Sequence, residues 1–273
     1  MLNYLTLMEQ AGIAPNFWTS RAYLERAGAV EQTKGNLIWL EADEVPLFPT
    51  LSFSGMIAPM REWPVPYCWS DFEGFSSETT NKEFLDYEFI YNPADFLEMA
   101  GGKWAVFRKN SRKFPRRYDG AVYSRGYVPS YEDLVNLLQR WASRFSDDDT
   151  IHDAAIILKY LEDLSPGVDF GWKTLRLNNT HKPEDLVGIN IWDRNWKYIN
   201  FRYCFCDPDY PFISEYMRWL FYTDPAILAQ KRLVCDGGSV DRPELKAFKE
   251  KMNPLQVREV YAWGEEPGED YGD

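Results

Sequence analysis

This sequence predicts an α+β protein of two tandem domains, each a mixed, mostly antiparallel sheet flanked by helices. Three observations carry the expectation. Short apolar runs with strand-like alternation lie between segments of helical periodicity, so neither an all-helical nor an all-β chain fits. The second half runs helix, helix, three strands, helix, strand, helix, strand. The 273 residues suffice for two ordinary domains, and 45% hydrophobic with 16% aromatic content can fill their cores.

The elements follow in chain order. TSRAYLERAG (19–28) has a capping signal and a closing glycine, which marks a helix. NLIWLEA and LFPTLSFSG are short apolar runs split by Glu44, Val45 and Pro46, which suggests a hairpin. DYEFIY (86–91) reads as a strand. Asn92 then caps a short helix, with Pro93 at its first position and Gly101 and Gly102 at its end. KWAVFRKNSRKFPRR (103–117) comes next. On a helix, Trp104, Phe107, Ser111 and Phe114 share one stripe. Arg108 and Arg112 share a neighbouring row, and Lys109, Lys113 and Arg116 another. Pro115 disfavours helix at Phe114, so the helix is expected to stop there. Turn-rich residues 119–130 mark a boundary between a first domain at 1–125 and a second at 126–264.

In the second domain, Ser130 caps a helix whose stripe is Leu134, Leu137, Leu138, Trp141 and Phe145. A second helix starts at Asp149 or Thr150 and carries Ile156, Ile157, Tyr160, Leu161 and Leu164. GWKTLRLNN, DLVGINIWD and KYINFRYCFCD read as strands, and YPFISEYMRWLFY as an aromatic helix. RLVCDGG enters a glycine turn, RPELKAFKEKMN has Pro in the first helical turn, and QVREVYAW is a last strand. The acidic, Gly/Pro-bearing tail at 265–273 is expected to be disordered.

Charge narrows the function classes. The net charge is −12, yet residues 103–117 hold seven cations and no anion. Setting those seven aside leaves −19 on the rest, so contact with a polyanion should be local to this segment. Its Arg forks and Lys point charges suit phosphate or carboxylate recognition, and a solvated basic face paired with acidic neighbours is the plainer alternative. No apolar run is long enough for a membrane span, and no signal peptide is expected, which gives a cytoplasmic protein. The four cysteines form no C-x-x-C pair, and His152 and His181 lie far from them, so no metal site is expected. Cys204 and Cys206 alternate along a strand, face one side, and read as reduced, buried small residues.

The order of elements in the second half is similar to that of GNAT-type acyltransferases. Two segments, 88–117 and 233–263, further resemble the family built around the C-terminal domain of phosphatidylglycerol lysyltransferases. The matching positions are Asp95, Phe96, Met99, Gly101, Lys103, Arg108 and Phe114, then Asp236, Gly237, Gly238, Leu245, Lys249 and Pro254. The resemblance implies two tandem GNAT-like domains and transfer of an acyl or aminoacyl group to an amine or hydroxyl. The implied donor is an acyl-CoA or an aminoacyl-tRNA. The sequence departs from the GNAT pattern where a glycine-rich pyrophosphate loop belongs. CFCDPDYPFISEY stands there, and its carboxylates and prolines repel phosphate and remove N–H donors.

With two histidines in the chain, a carboxylate or a water chain is the expected base for such a transfer. Asp236, read at a strand end before two glycines, is either that base or a turn former. Tyr261 and Tyr210 are candidate donors to an oxyanion or leaving group, or packing residues. Asp207 and Asp209 can bind a substrate amine or serve a helix N-terminus. Asn190 and Arg202, on adjacent strands, either reach one cleft or pair on the sheet surface. Lys103, Arg108, Lys109, Arg112, Lys113 and Lys249 complete the candidate binding set. Two rival functions remain beside the transferase: a non-catalytic module binding a phosphorylated or nucleic-acid ligand, and an acyltransferase acting on a nucleic-acid base. Neither the donor, the acceptor nor the oligomeric state is fixed by sequence.

Overall fold

The structure is a computed structural model that describes residues 3–42, 45–46, 48–58, 67–70, 80–118, 121–124, 129–143, 170–177, 185–238 and 242–265. The α+β class read from the sequence is the class observed. The chain groups into two units. Met1–Glu88, Gly237–Pro243 and Val257–Asp273 form one; Phe89–Asp236 and Glu244–Gln256 form the other. The basic segment, assigned by sequence to residues 1–125, groups with the second unit.

In the first unit, α1 (Asn3–Gln10) precedes α2 (Arg21–Arg26). Ser20 starts α2 by accepting the Tyr23 N–H on its hydroxyl, as the capping signal anticipated. β1 (Val30–Lys34) pairs antiparallel with β2 (Leu37–Ala42). The polar sequence VEQTK hides β1 from a hydrophobic pattern. β2 also pairs with β3 (Val45–Pro46) and β4 (Leu51–Ser52), so the proline segment and the apolar run after it both return to the first run. β5 (Tyr67–Ser70) and β6 (Thr80–Tyr91) follow, β6 beginning six residues before the expected strand.

The end of β6 belongs to the second unit, which continues with α3 (Asp95–Glu98) and a 3-10 turn at Gly102–Trp104. α4 (Ala105–Ser111) and α5 (Lys113–Arg117) carry the cations. The basic helix does not stop at Phe114. It breaks at Arg112 and restarts, with Pro115 in the first turn of α5, where an N–H would have had no helical partner anyway. Next come β7 (Ala121–Ser124) and α6 (Tyr131–Ala142), the latter opened by a reciprocal capping box of Ser130 and Asp133. The second helix expected from about residue 150, and the tail, lie outside the described residues.

β8 (Phe170–Leu177), β9 (Leu186–Arg194) and β10 (Tyr198–Cys206) form the antiparallel meander that the sequence predicts. α7 (Ile213–Tyr222) packs on β9 and β10. A short α8 (Pro225–Leu228), capped by Asp224, leads to β11 (Leu233–Gly237) and α9 (Pro243–Glu250). Strand order in this unit is β6-β11-β10-β9-β8-β7, with β10 and β11 parallel. Phe114, Leu175, Val187 and Met217 form part of its core. β12 (Gln256–Glu265) returns to the first unit and pairs antiparallel with β5.

Candidate functional site

The second unit contains a split between parallel strands. β10 and β11 are in register only from Tyr198 opposite Leu233 to Asn200 opposite Cys235. β10 then bulges between Phe201 and Tyr203 and runs on to Cys206 beside β9. Its register with β11 ends at Asn200.

Below this split lies a buried charged cluster. Asp236 is in strand β11 itself and 2% exposed, so it does not stand at the corner that the sequence suggested. The first backbone with positive φ comes two residues later, at Gly238. Asp236 Oδ1 accepts Lys249 Nζ at 2.7 Å, and Oδ2 lies 3.6 Å from Arg218 Nε. The guanidinium sits 5.3 Å from the Phe201 ring and 5.0 Å from that of Phe248, while Lys249 Nζ faces Phe89. Tyr91 donates its hydroxyl to the Lys249 carbonyl at 2.8 Å. The Tyr222 hydroxyl, Arg218 Nε and Asp236 Oδ2 are buried without a hydrogen bond. Burial, then the Asp236 charge, pushes the Tyr91 and Tyr222 phenols well above their ordinary range. Burial alone would lower the pKa of Arg218, but the anionic forms of Cys204 and Asp236 outweigh it. Held by Lys249 and facing Arg218, the Asp236 carboxylate braces β11, α7 and α9.

Beside the cluster, the Cys204 and Cys206 sulfurs are 3.6 Å apart on one face of β10, as their alternation predicts. Cys204 is half-buried, whereas Cys206 and Cys235 are buried. Hydrogen bonding from Cys206 lowers the Cys204 thiol; burial opposes this, and Arg218 and Ser214 add to the lowering. The same sulfur contact, together with burial, holds Cys206 well above the ordinary thiol range.

The other sequence candidates are more dispersed. Asn190 is buried and donates to the Met217 carbonyl at 2.9 Å. Arg202 pairs with Asp193 at 2.6 Å inside the sheet. Asp207 holds Arg140 at 2.6 Å and accepts the Asp209 N–H, which ties down the loop before α7. Tyr210 is half-buried against Tyr118, its hydroxyl raised by burial and the nearby Asp207. Tyr261 lies in the first unit, hydrogen-bonded to Glu259. Of the cations, Arg108 is turned inward, donating to the Met99 and Gly101 carbonyls, and Lys113 lies 4.1 Å over the Phe212 ring. Lys103, Lys109, Arg112, Arg116 and Arg117 are exposed, and none has an ion pair among the described residues. His152, His181 and 239–241 lie outside the described residues. No group of metal-ligating side chains, and no helix long and apolar enough to cross a membrane, occurs among the described residues.

The structure therefore joins Asp236 to Lys249, two of the positions that carry the family resemblance. It adds Arg218, Tyr91, Tyr222 and Ser214, which sequence reasoning missed. Arg218 did leave a signal: a lone cation in the aromatic run YMRWLFY, beside apolar positions 217 and 221.

No family profile and no curated protein matches the chain. Solved structures do match in fold. A conserved protein of unknown function from Bacteroides thetaiotaomicron superimposes with a TM-score of 0.74 at 12% identity, over 96% of this chain and 97% of that one. The C-terminal domain of a protein named as a lysylphosphatidylglycerol synthetase from Agrobacterium fabrum gives 0.59 at 12% identity, over 96% and 91%. L-PGS from Bacillus licheniformis gives 0.58 at 14% identity, over 97% and 91%. The resemblance read from the two sequence segments is thus present as a likeness of fold.

Proposed function

We propose that this chain is a GNAT-type transferase that moves an acyl or aminoacyl group from an activated, phosphate-bearing donor to an amine or hydroxyl. The observation that carries the reading is the fold likeness to the C-terminal domain of a protein named as a lysylphosphatidylglycerol synthetase and to L-PGS, which spans 96–97% of this chain. Two local features support it. The parallel strands β10 and β11 part after Asn200, where an extended donor can lie. The exposed cations of α4 and α5 offer a site for its phosphates. The loop before α7 bears Asp207, Pro208, Asp209 and Pro211, and favours a donor carried on RNA over acyl-CoA, whose diphosphate would need N–H donors there. A reducing, cytoplasmic setting belongs to this reading and agrees with reduced thiols at Cys204 and Cys206.

Calorimetry with acetyl-CoA and with tRNA tests the donor class. Binding of tRNA should weaken steeply with salt. The double change Lys109→Glu, Arg112→Glu should cut the slope of log K against log salt by about 2, at roughly 0.9 per phosphate contact. Its melting temperature should match wild type, because both side chains are exposed. Tight acetyl-CoA binding with none to tRNA would overturn the choice of donor. A second reading, a non-catalytic module, draws on the engaged state of Asp236, and it predicts tRNA binding with no transfer to any amine or hydroxyl acceptor.

A further inference from the structure

We infer that the second unit binds unpaired nucleotides on a row of aromatic rings beside the cations of α5, with bases stacked on the rings and phosphates held by the cations. The inference rests on the reading of an RNA-borne donor and names the part of the RNA that this surface takes.

The rings form a continuous row. Trp219 and Tyr216 on α7 lie 5.9 Å apart and close to parallel. Tyr216 stacks on Phe114 at 5.1 Å, Phe114 meets Tyr118 at 4.9 Å, and Tyr118 meets Tyr210 edge-on at 5.1 Å. Phe114 is fully buried and anchors the row in the core. The other four rings keep part of their surface open.

Cations frame the same rings. Lys113 Nζ stands 4.1 Å from the centre of the Phe212 ring, and the Arg117 guanidinium 5.5 Å from that of Tyr118. Arg112, Arg116 and Arg117 are exposed, and none has an ion pair among the described residues. Arg112 with Arg116, and Lys113 with Arg117, stand four residues apart. Like charges at that spacing weaken a helix, so they do not serve the fold. Cations spaced by about 5–6 Å between β-carbons can instead follow successive phosphates of an extended strand. Two carboxylates border the surface. Glu215 accepts the Asn110 amide at 3.0 Å, and Asp209 is exposed before Tyr210. The four cations at 112, 113, 116 and 117 outweigh them, and the net charge of −12 confines a polyanion to this segment.

The rings choose the kind of polyanion. A duplex keeps its base faces in its own stack and would meet only the cations. Unpaired bases can lie on the rings, and each offers a π-face whatever its identity. An anionic membrane would also meet the cations, but it has no flat group for the rings.

Fluorescence anisotropy on the full chain tests this, with a labelled short oligouridylate and a blunt RNA duplex of equal charge. The single strand should bind about tenfold tighter or more. Tyr118→Leu and Tyr210→Leu keep apolar packing but lose the flat ring. Each should weaken strand binding by about 5- to 150-fold, the range of one base–aromatic stack, while Tyr118→Phe binds as wild type. The double change Arg116→Gln, Arg117→Gln should flatten the slope of log K against log salt by about 1.4, at roughly 0.7 per contact on a single strand. Iodouridine in the strand should photocrosslink to Tyr118 or Tyr210, which keeps the test open should the leucine variants unfold. Equal affinity for strand and duplex, with crosslinks mapped elsewhere, overturns the inference and leaves the RNA-borne donor intact. Binding to phosphatidylserine vesicles but to neither RNA overturns both. Ring-dependent strand binding in a chain that transfers no acyl group supports the inference and removes the transferase reading.

Discussion

Replacing Asp236 by Asn separates a structural carboxylate from a catalytic one. At an effective dielectric of 20, a unit-charge pair at the 2.7 Å of Lys249 Nζ is worth about 6 kcal/mol, and one at the 3.6 Å of Arg218 Nε about 5 kcal/mol. Desolvation offsets most of this, and removing one partner of a buried pair costs about 3–5 kcal/mol. At about 2–4 °C per kcal/mol, Asp236→Asn should lower the melting temperature by roughly 10 °C. Adding Lys249→Met removes one of the two stranded cations, so the double variant should be more stable than Asp236→Asn alone. Urea denaturation of the wild type, both single variants and the double variant measures this ordering. An Asp236→Asn protein as stable as wild type but without turnover would refute the reasoning and return Asp236 to the role of a base.

Two other changes test the scaffold. Ser130→Ala removes the hydroxyl half of the α6 capping box and should cost about 1 kcal/mol in chemical denaturation, with Ser130→Asp close to wild type. Gly171→Ala places a methyl group 2.6 Å from the Trp192 ring and should destabilise by about 1–3 kcal/mol, reported by a change in tryptophan emission; an unaltered melt would mean that the ring moves freely.

Much of the second unit was legible because its signals are local. The meander β8–β10 comes from three successive β-type runs, Ser130 and Asp133 form a reciprocal cap, and Pro243 opens α9. What escaped was set by long-range partners. β1 is polar and exists because β2 pairs with it. The break at Arg112 depends on where a helix restarts, which a proline rule applied to one residue misplaces. The site was half legible for the same reason. The sequence put Asp236 and Lys249 on its candidate list, but their pairing spans a strand and a helix, and burial turned a supposed corner residue into the centre of an ion cluster. Likewise, Arg202 and Asp207 looked available as single letters, but Asp193 and Arg140 engage them.

The consequence for chemistry is a redistribution of roles among neighbours. A carboxylate fixed between Lys249 and Arg218 orients the guanidinium, and that guanidinium donates to Ser214 in the first turn of α7. Asp236→Asn, assayed under conditions where it remains folded, should therefore leave turnover largely intact. A folded Asp236→Asn variant without turnover would mean that the carboxylate takes part in the chemistry, and the division of labour drawn here would fail.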